Sequence, residues 1–131
     1  MRLFLDTSVL LSACASPRGA SREIFRLAAL NGWLLLTTPY VVDEVLRNLP
    51  SFPADASAEW VRLRQQLALM NDVLTLDRPV LFGALAWADV LLTLDRTDFG
   101  SVLGHEFYGL PVLKPGMFLE CERADGRLKS T

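Results

Sequence analysis

The chain has a single histidine, His105, and only Cys14 and Cys121 as thiols in 131 residues. One imidazole excludes a His-based zinc cluster and leaves a His general base without a substitute. The two cysteines lie far apart, form no C-x-x-C pair and have no histidine at metal spacing. Buried free thiols in a reducing cytosol are the expectation, and with them a cytoplasmic protein. No run approaches the ~20 apolar residues of a membrane span, so no membrane partner is expected. There is no G-x-x-x-x-G-K-[ST] motif, which excludes a P-loop nucleotidase. Ser–His and Cys–His arrangements are also missing, as are internal repeats and low-complexity tracts.

What is present is a mixture typical of a folded domain. Half of the residues are hydrophobic and 21% are charged, which argues against disorder. One domain over residues 1–131 is expected, with about 123–131 as a frayed polar tail. The formal charge of −2 excludes a strongly basic nucleic-acid binder. If five acids gather at a metal site, the other ten face thirteen basic residues, a balance of +3. Eleven of those thirteen are Arg, whose planar fork grips phosphate better than a Lys. Near the start, Arg2, an apolar run and Leu11-Ser12-Ala13-Cys14 superficially resemble a lipoprotein signal. Asp6 falls in the middle of that run, where a charge is least tolerated, and argues against it.

Strands and helices alternate along the sequence. Leu3-Phe4-Leu5, Trp33 to Leu36, Val73 to Leu76, Asp89 to Leu94 and Pro111 to Leu113 read as short buried strands. Helices are expected over Val9 to Ala13 and Ser21 to about Leu30, the second stopped by Asn31-Gly32. Another is expected from Pro39 to about Leu49, with Thr38 as N-cap and Pro39 at the first helical position. Its apolar arc is Val41, Val42, Val45, Leu46 and Leu49, with Glu44 at the edge. Further helices are expected over Ala54 to about Met70 and from Pro79 to about Trp87. A short helix and loop over Gly100 to Gly109, and a terminal helix opening at Pro115, complete the series. The pattern predicts an α/β fold, a three-layer α/β/α sandwich with a mostly parallel central sheet.

In such a sheet ligands bind outside the carboxyl ends of the strands. Asp6, Asp77, Asp95 and Asp98 follow or flank expected strand ends, and Glu44 lies just inside a helix that follows one. Each has a plainer alternative: Asp6 and Asp77 as helix N-caps, Glu44 as a solvated first-turn acid, one of Asp95 and Asp98 as the cap of a turn. Asp43 suits the solvated role better than Glu44, and Asp89 starts its strand and so belongs to the opposite rim. Carboxylates crowded on one rim raise one another's pKa unless a cation sits among them. Oxygen ligands of this kind suit Mg²⁺ or Mn²⁺. One such ion, or a pair, can activate water and stabilise both oxygens of a phosphodiester displacement.

Four stretches in register carry a family likeness: Phe4-Leu5-Asp6-Thr7-Ser8-Val9; Thr38-Pro39 leading to Glu44; Asp77-Arg78-Pro79-Val80-Leu81; and Ala88 to Phe99 with Asp95 and Asp98. In order, spacing and length the chain resembles the PIN domain family over essentially its whole extent. It is similar to the short stand-alone members that include the toxins of VapBC-type toxin–antitoxin pairs. The resemblance implies a PIN-like α/β/α sandwich and a metal-dependent ribonuclease with Mg²⁺ or Mn²⁺ held by acids. Carried over by residue, it implies catalytic, metal-holding roles for Asp6, Glu44 and Asp77. Asp95 and Asp98 share the fourth position; many toxins carry Asn in place of Asp95, so the choice between the two and the metal count stay open. Ser8 and Thr93 match hydroxyl positions that hold a carboxylate or water. RNA, an antitoxin protein and a second copy of the chain are the implied partners.

Two other classes compete. A PIN-like RNA- or protein-binding module without turnover would need no crowded acids. A haloacid-dehalogenase-like phosphate enzyme wants Asp two residues after the first acid, where this chain has Ser8.

Overall fold

Leu3, Phe4 and Leu5 are wholly buried because the strand they form, β1 (Arg2–Leu5), lies inside a sheet covered on both faces. The structure is a computed structural model that describes residues 1–75 and 78–130. After β1 come α1 (Thr7–Ala15), α2 (Ala20–Asn31), β2 (Leu34–Thr37), α3 (Pro39–Asn48), α4 (Ala54–Leu63) and β3 (Leu67–Leu69). The second half holds α5 (Pro79–Trp87), β4 (Val90–Leu92), α6 (Arg96–Phe99), β5 (Glu106–Phe107), β6 (Leu110–Leu113) and α7 (Pro115–Ala124).

The strands form one sheet in the order β3-β2-β1-β4-β6-β5, parallel except for the antiparallel β5–β6 pair. The chain first moves from β1 through β2 to β3, then crosses back to β4 on the other side of β1. With right-handed crossovers, such a reversal puts connecting helices on both faces, giving the three-layer sandwich. It also makes the β1–β4 boundary the switch point of the sheet. There Leu5 stands opposite Leu92, and the Asp6 N–H continues the ladder by donating to the Leu92 carbonyl at 3.1 Å.

Several expected elements are displaced. The helix expected over Ala54 to about Met70 ends at Leu63, followed by a 3₁₀ turn over Arg64–Gln66 and then by β3. Leu63 and Leu67 have helical spacing, but Leu67 instead takes the backbone partner Leu35 at the sheet edge. An edge strand needs little burial, so its apolar signal is weak. The strand expected over Val73 to Leu76 is not there among the described residues; 73–75 are irregular and Leu74 is fully exposed. The arc expected for α3 is narrower, since Leu46 is exposed while Val41, Val45 and Leu49 are buried. The segment after β4 forms the short helix α6, and the short helix expected over Gly100 to Gly109 is replaced by turns and β5. Gly32 does end α2, at a left-handed φ of 68°.

The tail expected to fray from about residue 123 is tied down instead. Helix α7 runs to Ala124, and its buried Glu122 accepts two hydrogen bonds from the Arg127 guanidinium at 2.8 and 2.9 Å. Asn31 then exchanges hydrogen bonds with the Lys129 backbone at 2.7 and 2.8 Å, strapping the tail to the end of α2. Trp33 meets Phe118 edge to face, with ring centroids 5.1 Å apart, and joins the same region. No helix among the described residues is long and apolar enough to cross a membrane.

Candidate functional site

Asp6 occupies the N-cap position of α1, yet its carboxylate makes no side-chain cap hydrogen bond. It turns instead toward the end of β4. The Thr93 hydroxyl donates to Asp6 Oδ2 at 2.7 Å and the Ser8 hydroxyl donates to the same oxygen at 3.1 Å. Backbone amides fix the direction of both hydrogen bonds. Leu94 N–H donates to Ser8 Oγ at 2.9 Å, and Asp95 N–H donates to Thr93 Oγ1 at 3.1 Å. Each hydroxyl thus accepts from the backbone and spends its proton on Asp6. The Thr7 backbone amide also hydrogen-bonds the Asp6 carboxylate, and Asp6 lines a cleft of about 610 Å³. Ser8 and Thr93 thus both hydrogen-bond the Asp6 carboxylate.

The other acids reach this cleft from different elements. Glu44 comes from α3, half-buried, and accepts a hydrogen bond from the Thr7 hydroxyl at 3.4 Å. Asp95 caps α6, its Oδ1 accepting from Thr97 N–H at 2.9 Å and Asp98 N–H at 3.1 Å. Its plainer role as a turn cap is thus real, and it leaves Oδ2 outside the cap. Asp98 is exposed on α6 and lines the same cleft with Glu44 and Asp95. Asp77 lies outside the described residues. Asp43 faces solvent, and Asp89 sits on the opposite rim, accepting from Arg2 N–H at 2.7 Å.

The electrostatics are those of carboxylates short of positive charge. Burial pushes the Asp6 carboxyl above its ordinary 3.8, and the Asp95 charge adds to this against the pull of the Thr93 and Ser8 hydroxyls. Burial also raises Glu44, helped by the charges of Asp6 and Asp98 and opposed by Thr7 and Arg47. The charge of Asp95 is the main cause that raises Asp98. Among the described residues none of these acids forms a salt bridge. Hard oxygen donors in that condition fit a divalent cation, which would relieve the repulsion. As placed, however, no three His, Cys, Asp or Glu side chains among the described residues are grouped closely enough to hold an ion.

No protein-family model matches this chain, and no curated protein matches it either. What the cleft can do therefore rests on its own chemistry. The described residues offer no thiol or imidazole to it; the polar part of its lining is carboxylate, hydroxyl, amide, one phenol and one guanidinium. Of these, Thr7, Tyr40, Asn48, Arg78 and Thr97 are not among the site residues expected from the sequence. Tyr40, Glu44 and Asn48 recur every four residues on α3, a spacing that stacks them on one helix face and was available as a signal. Thr7 and Arg78 carry no such signal, because only the folded chain brings them to the cleft.

Proposed function

We propose that the chain is a metal-dependent endoribonuclease of the PIN-like kind, hydrolysing RNA phosphodiesters in the cytoplasm. The observation that supports it best is Asp6, a buried carboxylate aligned by two donating hydroxyls and lacking a cationic partner among the described residues. Asp6, Glu44, Asp95 and Asp98, with Asp77 by sequence, would hold Mg²⁺ or Mn²⁺. When bound, the ion supplies Lewis acidity toward a phosphodiester oxygen and makes water a stronger nucleophile at neutral pH. The protein's own part is to orient. Thr93 and Ser8 fix Asp6 Oδ2, Thr7 steadies Glu44, and the Asp95 cap fixes the start of α6. The lining hydroxyls of Ser8 and Thr7 hold carboxylates in place in this reading, and attack falls to water.

The test is cleavage of single-stranded RNA with Mg²⁺ or Mn²⁺. Products are expected with either ion, and loss of activity with EDTA and with Asp6→Asn. Cleavage that survives both would end the assignment. The toxin role, an antitoxin partner and a homodimer belong to the same proposal. A small reading frame directly upstream, whose product suppresses growth arrest on induction, is the expected outcome.

A second function, RNA or protein binding without turnover, is favoured by one observation: the spacing of the described acids as placed. It predicts association that is indifferent to Asp77→Asn, and no cleavage product with any metal.

A further inference from the structure

A cleft lined by carboxylates repels the very polyanion that a ribonuclease must hold. Affinity has to come from groups at its border that are neutral or positive. Among the described lining residues Arg78 is the one Lys or Arg. Two lining residues are aromatic: Phe99, which is 5% exposed and belongs to the core, and Tyr40, which is 41% exposed. A ring that is free on one side and fixed at its base is suited to stack a nucleobase, since stacking needs no charge complementarity. Tyr40 has that fixture. Its N–H, in the first turn of α3, donates to both carboxylate oxygens of Asp72 at 3.3 and 3.2 Å. It also stands one turn before Glu44 on the same helix face, about 6 Å along the axis. A base on the ring would then belong to a nucleotide flanking the bond held over Asp6. Arg78 approaches from another element, at the N-cap of α5.

Resting on the ribonuclease reading above, we propose that Tyr40 and Arg78 hold single-stranded RNA across the cleft, the ring stacking one unpaired base and the guanidinium taking a phosphate. Paired RNA is disfavoured because its bases are already stacked and their faces are out of reach. The substrate is therefore a loop, bulge or unpaired segment, and one nucleotide position is read by the ring.

The experiment measures binding of a fluorescein-labelled oligouridylate to the Asp6→Asn protein in Mg²⁺, so that hydrolysis does not interfere. A series of the same oligomer carries one abasic residue at successive positions. Tyr40→Ala is expected to weaken binding about tenfold, and Tyr40→Phe to recover most of that loss. One abasic position is expected to weaken binding to the Tyr40 protein about tenfold and to add nothing in the Tyr40→Ala protein. Arg78→Ala is expected to reduce the salt slope of binding by about 0.7, one phosphate contact on a single strand. Binding within twofold of the Tyr40 protein after Tyr40→Ala, or abasic losses identical in both proteins, overturns the stacking role. An unchanged salt slope overturns the role of Arg78. These failures leave metal-dependent cleavage by the parent protein standing; absence of that cleavage, by contrast, removes the ribonuclease reading on which the proposal rests.

Discussion

Two buried carboxylates in this chain are treated in opposite ways. Glu122, on α7, is neutralised by Arg127 through two charge-assisted hydrogen bonds. Asp6, just past the end of β1, is as deeply buried but is served by two hydroxyls and the Thr7 backbone amide, with no arginine or lysine among the described residues, and meets further negative charge. The first arrangement is how a fold makes a buried acid harmless. The second leaves charge unbalanced at the sheet's switch point, a cost that a purely structural acid has no reason to carry. The contrast separates an acid paired with an arginine in the tail from an acid with no cationic partner among the described residues.

Asp6→Asn should show the contrast most strongly. Cleavage is expected to fall more than roughly a hundredfold, beyond the loss typical of a supporting residue. Thermal stability without metal is expected to hold or rise, because the amide removes a buried charge and can still accept from Thr93. A variant that loses both together in calorimetry would make Asp6 an ordinary structural residue. Thr93→Val comes next. It deletes a wholly buried hydroxyl that both donates to Asp6 and accepts from Asp95 N–H. About a tenfold loss of activity and about 1–2 kcal/mol of stability are expected from kinetics and urea unfolding.

Glu122→Gln should do the reverse. The melting temperature is expected to drop by roughly 3–5 °C as the tail loosens, with the rate of RNA cleavage untouched. A change in cleavage would link the two regions in a way their separation gives no reason to expect. A smaller effect is expected from pH. Burial raises the Asp6 pKa above 3.8, so its neutral form is the one the fold favours. The benefit is full below the unfolded value and is lost as pH rises through the folded one. In EDTA, the stability advantage of Asp6→Asn over the parent should therefore widen as pH rises above about 4. A constant difference across a pH series of melting curves would contradict it. The smallest contrast is between the thiols. Cys14 is buried and its thiol is pushed up to about 11 by burial, whereas Cys121 is exposed. One thiol per native chain should react promptly with a disulfide reagent at pH 8, and both after unfolding.

The strand-then-acid junction at Leu5-Asp6, the Thr38-Pro39 helix start and the Gly32 stop were all legible, because each depends on neighbours in sequence. So was the gathering of Asp6, Glu44, Asp95 and Asp98 at one rim, since strand direction fixes which end a residue occupies. Strand β3 was not legible. Leu67–Leu69 sits in helical periodicity, and only pairing with β2 decides otherwise. The role of Thr7 was not legible either, because its hydroxyl meets Glu44 across 37 residues of sequence.

The order of apolar runs, caps and acids, then, determined an α/β sandwich and the chemical type of its cleft. Those features are set by backbone period and local hydrogen bonding, which each stretch carries with it. Tertiary structure alone decided that the Thr93 hydroxyl would serve Asp6, and that an exposed tyrosine would border the carboxylates. Thr93 meets Asp6 across 87 residues and Tyr40 reaches the cleft from another element, so no short-range pattern in a sequence encodes either contact.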